Sequence, residues 1–258
     1  MARLKSYQRL AQKKYRMQEG RFLLEGVHLV AEALAAEWKL ECIMVTTEFA
    51  SNPGHASLIR DASSRTQVCT VSEPEVKKLS DTVTAQGIIA VAEMKSHALS
   101  EFWQTLPKSC LLVALEDVSD PGNVGSILRT CDWFGVDGVI LDRDCVDLYN
   151  PKVIRATMGS LFHLPVVHDV DLNDVVRRAK ATDVQVIATA LDGGNLFDIS
   201  EGAERRMVVF GNEARGISVE VRDAADHVLT IPKFGHAESL NVAVACGVIL
   251  GSLRLPRA

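Results

Sequence analysis

The sequence predicts an α/β protein: a mainly parallel sheet covered by helices, preceded by a smaller α/β unit. Three observations carry this. Short apolar runs alternate with helix-period stretches along almost the whole chain, a pattern that gives parallel strands joined by crossover helices. The rhythm breaks once, over residues 96–108 with Pro107 near their end, and then restarts. In the second part, three strand-like runs stop abruptly in turns of Gly, Asn and Ser. Open α/β sheets bind ligands at such carboxyl ends. The reading is an N-terminal domain over 1–95, a linker over 96–108 and a second domain over 109–258.

Each element has its own warrant. Residues 3–18 read as a basic helix with Leu4, Tyr7, Leu10 and Ala11 on one side. Residues 22–25 form a strand and 27–36 a helix of Leu, Val and Ala. A strand follows over 42–46, then a helix over 53–62, with Asn52 as its cap and Pro53 at the first helical position. Residues 68–71 form a strand. Ser72 opens a short helix with Glu75 at capping-box spacing, and 87–92 form the last strand of the first domain. Beyond the linker, strands are expected at 111–115, 138–141, 164–167, 184–190, 207–210 and 228–231. Helices fall between them: 123–134 closed by Gly135, 151–158 capped by Asn150, 172–180 and 219–225. The final helix is placed at 239–253.

With 258 residues, 47% of them hydrophobic, the chain can bury one or two cores. Charge is uneven. Arg3, Lys5, Arg9, Lys13, Lys14, Arg16 and Arg21 stand against Glu19 alone in residues 1–21, a net +6, which leaves −11 for the rest of a chain of net −5. A basic arm on an acidic body fits an anionic polymer, although a solvated helix face explains the same charges. The six cysteines are scattered without a C-x-x-C pair, which suggests reduced thiols in a cytoplasmic protein. No apolar run reaches membrane-spanning length, and no signal-peptide core is present.

Several chemistries lack their signatures. There is no phosphate-binding G-x-x-x-x-G-K-[ST], no G-x-G-x-x-G and no G-x-S-x-G. The seven histidines are dispersed without metal-ligand spacing, so no metal is expected. What remains is three similar loops: residues 120–129 (DPGNVGSILR), 208–218 (VVFGNEARGIS) and 231–247 (IPKFGHAESLNVAVACG). Their glycines let backbone approach a ligand closely. Singly each glycine is an ordinary turn residue; together the three loops suggest one composite pocket.

These loops resemble the motifs of the SpoU/TrmH family of the SPOUT superfamily, S-adenosylmethionine-dependent RNA ribose 2′-O-methyltransferases. The first motif, Asn then Arg six residues later, is similar to Asn123 and Arg129. The second, G-x-E-G-x-G, is similar to Gly211, Glu213 and Gly216, with Ala214 where glycine is usual. The third, an I-P pair followed by S-L-N, is similar to Ile231, Pro232, Ser239, Leu240 and Asn241. The likeness covers about 150 residues. More loosely, residues 1–95 resemble the family's RNA-binding extension through LEGVHLV and TAQGIIAV.

The resemblance implies a sheet whose C-terminal part threads a deep trefoil knot, a rarity among folds. It implies S-adenosyl-L-methionine as cofactor, held by Ala190, Gly211, Ile231, Ser239 and Leu240. It implies a catalytic set of Arg129, Asn123, Glu213 and Asn241, and a homodimer in which Arg129 serves the partner's cofactor. The expected partner is RNA, ribosomal before transfer RNA, with Lys5, Arg9, Lys13, Lys14, Arg16 and Arg21 as phosphate contacts. Arginine in general holds its proton to about pH 12. Arg129 therefore reads better as a forked phosphate clamp that orients the 2′-oxygen than as a base. Other readings stay open at this point: a non-catalytic RNA-binding protein, a base methyltransferase, or a small-molecule enzyme using another nucleotide.

Overall fold

The computed structural model describes residues 2–95, 97–198 and 203–254. The chain forms two compact units. One joins residues 1–95 to 147–163, and the other joins 96–146 to 164–258.

The first unit begins with α1 (Ala2–Arg9) and α2 (Lys13–Glu19) instead of the single helix expected. The break has a local cause. The Arg16 guanidinium donates to the carbonyls of Leu10 and Ala11 at 2.8 and 2.9 Å, satisfying groups that a continuous helix would bond internally. Strands β1 (Arg21–Glu25), β2 (Leu40–Thr46), β3 (Gln67–Val71) and β4 (Ile88–Glu93) form a mixed sheet in the order β1-β4-β2-β3. The helices α3 (Val27–Ala35), α4 (Thr47–Ser51), α5 (Ala56–Arg65) and α6 (Glu73–Leu79) pack around it. Glu75 reaches back to the Ser72 backbone N–H at 2.9 Å, as its spacing predicts.

The second unit opens with α7 (Leu99–Thr105), inside the stretch read from sequence as a linker. Phe102 and Trp103 are buried in this unit's core, so the segment is a packed element rather than a spacer. Polar flanks and a short helix hide those two aromatics from a pattern search. Six strands follow: β5 (Cys110–Leu115), β6 (Gly138–Asp142), β7 (Val166–Val170), β8 (Gln185–Asn195), β9 (Arg205–Phe210) and β10 (His227–Thr230). Their order is β10-β8-β9-β5-β6-β7, and all five pairings are parallel. The helices are α8 (Pro121–Trp133), α9 (Pro151–Thr157), α10 (Leu172–Ala181), α11 (Val219–Ala224) and α12 (Val242–Arg254). Of these, α9 belongs to the excursion 147–163 that packs within the first unit.

From β5 the chain builds outward through β6 to β7, then returns to the far side for β8, β9 and β10. The reversal falls between β5 and β9, and the crevice at such a switch is where open sheets place ligands. The pairing of β8 with β10 jumps in register: Val228 faces Ala188 and Leu229 faces Gly194. Residues 189–193 therefore bulge out of the ladder. Gly193 permits this, because a Cβ there would lie 2.6 Å from the Val228 carbonyl oxygen.

Candidate active site

The bulge after Ala188, the turn after β9 and the loop after β10 enclose a cavity of about 540 Å³. Ala190, Gly211, Ile231, Ser239 and Leu240 all line it. The volume falls in the range of nucleotide-sized ligand pockets, roughly 300–1,000 Å³. Its walls are largely apolar, with Leu229, Val242 and Ile249 among them.

The turn after β9 holds itself rigid. The Asn212 carbonyl accepts the Gly216 N–H at 2.8 Å, and its side-chain oxygen accepts those of Ala214 and Arg215 at 2.9 and 3.1 Å. Its amide donates to the Asp117 carbonyl at 2.9 Å, tying the turn to the loop after β5. The Ser218 N–H adds a second tie, to Glu116 at 2.8 Å. Gly211 has to be glycine, because a Cβ would collide with the backbone of Gly216 and Ile217. Ala214 does not have a positive φ, so its methyl group sits in ordinary backbone.

Asn123, Glu213 and Asn241 meet, although 90 and 28 residues separate Glu213 from the other two. The Asn123 amide donates to Glu213 Oε1. The Asn241 amide donates to Asn123 Oδ1 at 2.9 Å and to Glu213 Oε1 at 3.3 Å. Local capping aims both asparagines. Asp120 accepts the Asn123 N–H at 2.8 Å at the start of α8. Asn241 Oδ1 accepts the N–H groups of Ala243 and Val244 at 3.0 and 3.3 Å, making Asn241 the cap of α12. That cap also explains why α12 starts three residues later than the sequence suggests. Ser239 and Leu240 stay in the loop, free to line the cavity.

Arg129 makes no bond to this cluster. Six residues along a helix is about 600° of rotation, so Asn123 and Arg129 point roughly 120° apart. Arg129 is exposed and has no hydrogen-bond or ion partner among the described residues.

In the first unit, Lys5, Arg9, Lys13 and Lys14 are exposed. The Arg9 guanidinium lies 3.8 Å from the Tyr15 ring centroid. Arg21 is half-buried between Glu41 and Glu19. Arg16 is a correction to the sequence reading. It is 3% exposed, paired with Asp147 and spent on the Leu10 and Ala11 carbonyls. All three of its guanidinium nitrogens are engaged inside the fold. Its place in a run of basic residues hides this, since the partner Asp147 lies 131 residues away.

The sequence reading misses several cavity residues: Thr189, Asp192, Arg222, Lys233 and Glu238. Asp192 and Arg222 pair through two bonds, 2.8 and 3.0 Å, and this hydrogen bonding holds the Asp192 carboxyl below its usual range. The bulge carries Asp192 past the end expected for its strand, so nothing local could reveal it. Among the described residues no His, Cys, Asp and Glu cluster could hold a metal ion, and no helix is long and apolar enough to cross a membrane.

Residues 110–251 match the SpoU rRNA Methylase family, and residues 2–90 match the MRM3-like substrate binding domain. The chain belongs to the SpoU rRNA methylase family. Over 252 residues it is 35% identical to the Bacillus subtilis 23S rRNA (guanosine(2553)-2'-O)-methyltransferase RlmP, covering 98% of this chain and 96% of that one. It is 29% identical to the 23S rRNA (uridine(2479)-2'-O)-methyltransferase of Streptomyces viridochromogenes, covering 96% and 88%. Among solved structures, the SpoU methyltransferase AviRb from Streptomyces viridochromogenes, in complex with AdoMet, superposes with a TM-score of 0.87 at 28% identity, covering 98% and 97%. The AdoMet-bound rRNA methyltransferase from Sinorhizobium meliloti gives 0.85 at 31%, covering 97% and 93%. The parallel α/β fold of this SpoU member is thus the fold of structures that carry AdoMet.

Proposed function

We propose that this protein is an S-adenosylmethionine-dependent methyltransferase that modifies a ribose 2′-hydroxyl in ribosomal RNA. One observation carries the reading. Asn123 from the first turn of α8, Glu213 from the turn after β9 and Asn241 from the cap of α12 hydrogen-bond together beside a nucleotide-sized cavity. The cofactor, when bound, supplies a methyl group on a sulfonium that is already a good leaving group. The protein's task is then alignment, which can lower a barrier by about 7–11 kcal/mol in ideal cases. Ala190, Gly211, Ile231, Ser239 and Leu240 hold the cofactor, largely through backbone and apolar contact. Glu213 keeps the three segments in register by accepting from both asparagines. Arg129, exposed and without a partner among the described residues, clamps an RNA phosphate and orients the attacking oxygen.

The enzyme works as a homodimer, and Arg129 completes the site of the other protomer. Two features support this. Arg129 is exposed and makes no bond to the Asn123 cluster, and the packed helices α8 and α12 leave Trp133, Val244 and Val248 exposed. A deep trefoil knot is part of the same reading, supported by the bulged β8 and the close passage of β10 over Gly193. Lys5, Arg9, Lys13 and Lys14 grip RNA phosphates. Six free cysteines fit a reducing, cytoplasmic working place.

The test is methyl transfer from labelled cofactor to ribosomal and transfer RNA from a deletion strain, followed by nucleoside digestion. A 2′-O-methyl nucleoside in ribosomal RNA that vanishes with Arg129→Ala is the expected result. Label on a base would overturn the reading.

A further inference from the structure

The cavity wall holds six ionisable side chains: Asp192, Glu213, Arg215, Arg222, Lys233 and Glu238. Four already have partners. Asp192 and Arg222 bond each other, Arg215 pairs with Asp117, and Glu213 takes the two asparagine amides. Lys233 and Glu238 have no ion pair or hydrogen bond among the described residues, and they do not pair with each other. Both sit on the exposed loop between β10 and α12, one cation and one anion five residues apart. The deeper wall, with Leu229, Val242 and Ile249, is apolar.

A cavity apolar within, with one unmatched charge of each sign at its rim, suits a ligand with the same polarity. It fits an aromatic base inside and an amino-acid zwitterion outside. Resting on the cofactor reading above, we propose that Lys233 and Glu238 form the subsite for the amino-acid tail of S-adenosylmethionine. Lys233 Nζ donates to the α-carboxylate and the Glu238 carboxylate accepts from the α-ammonium. Each contact is a charge-assisted hydrogen bond at a partly shielded rim. The subsite discriminates the full cofactor from adenosine-bearing metabolites that lack the tail.

Calorimetric titration of the full chain with two ligands isolates this role. S-adenosylhomocysteine carries the tail, and 5′-methylthioadenosine does not. Lys233→Met and Glu238→Gln should each weaken S-adenosylhomocysteine binding about tenfold, the size of one charge-assisted bond. Affinity for 5′-methylthioadenosine should stay within about twofold under the same comparison. Equal losses for both ligands would mean that the loop acts only through its shape, and would overturn the proposal. So would unchanged affinities. So would a Lys233→Met variant that loses RNA affinity while keeping that for S-adenosylhomocysteine, which would make Lys233 an RNA contact. A wild-type chain that binds neither ligand would refute the cofactor reading itself, a result distinct from all of these.

Discussion

Two arginines show how a residue's surroundings decide its work. Arg129 is exposed and has no partner among the described residues, while Arg16 is buried on Asp147. Lysine at 129 keeps the charge but loses the fork. One hydrogen bond to a charged group is worth about 1.5–3 kcal/mol, so Arg129→Lys should lower single-turnover methyl transfer about 10- to 100-fold. Near-wild-type turnover would remove the clamp role. Arg16→Met should leave RNA affinity unchanged and destabilise the fold by about 3–5 kcal/mol, the usual cost of stranding one partner of a buried pair. Denaturant unfolding reads the loss. Arg16→Met combined with Asp147→Leu should recover part of it, because no charge is then left unpaired while the Leu10 and Ala11 carbonyls still lose their donor. From the sequence, both arginines looked like candidates for an anion. Of the two, Arg129 alone has an unpartnered guanidinium among the described residues; sequence could not tell them apart, because burial and a distant carboxylate are not local properties.

At the scale of elements, the turns position the site. Capping chemistry was partly legible: Asn150 caps α9 and Glu75 closes its box with Ser72, while Asn52 caps a 3-10 turn over Pro53–His55 and α5 begins only at Ala56. Such bonds span only two or three residues, so adjacent sequence specifies them. The start of α12 was not legible. Asn241 caps it while also bonding Asn123 and Glu213, so a tertiary contact shares the job of a local one. The turn after β9 gives a sharp test. Gly211→Ala drives a methyl group into the Gly216 backbone, an overpacking that costs about 1–3 kcal/mol. The turn must shift to relieve it. Calorimetry should therefore show weaker binding of S-adenosylhomocysteine together with a lowered Tm. Unaltered binding would mean that the turn does not shape the cofactor site.

For the whole molecule, the question is where a complete site exists. The Asn123 cluster and the cavity lie together through Glu213, while Arg129 bonds neither and sits roughly 120° around α8 from Asn123. Mixing two inactive variants tests the shared site. Arg129→Ala lacks the clamp, and Gly211→Ala, assayed at a cofactor concentration its weakened pocket does not fill, lacks the cofactor. If protomers exchange and each site borrows Arg129, the mixture should recover about a quarter of wild-type activity. No recovery from demonstrated heterodimers would place Arg129 in its own protomer's site. Sedimentation of a Trp133→Glu, Val244→Glu variant checks the interface separately, with monomers as the expected outcome.

The sequence by itself determined the alternation of strands and helices, the parallel sheet, the three site loops and the family that they resemble. Each of these rests on a short-range signal: periodicity, caps, or glycine where backbone crowds backbone. Tertiary structure decided the rest. It moved residues 147–163 into the first unit, turned a supposed linker into core through Phe102 and Trp103, and withdrew Arg16 from the RNA contacts. It also bulged β8 to bring Asp192 to the cavity and left Lys233 and Glu238 as its unmatched charges. The physical reason is common to all of them. Burial and charge pairing depend on groups far apart along the chain, and only the folded chain brings those groups within a few ångströms.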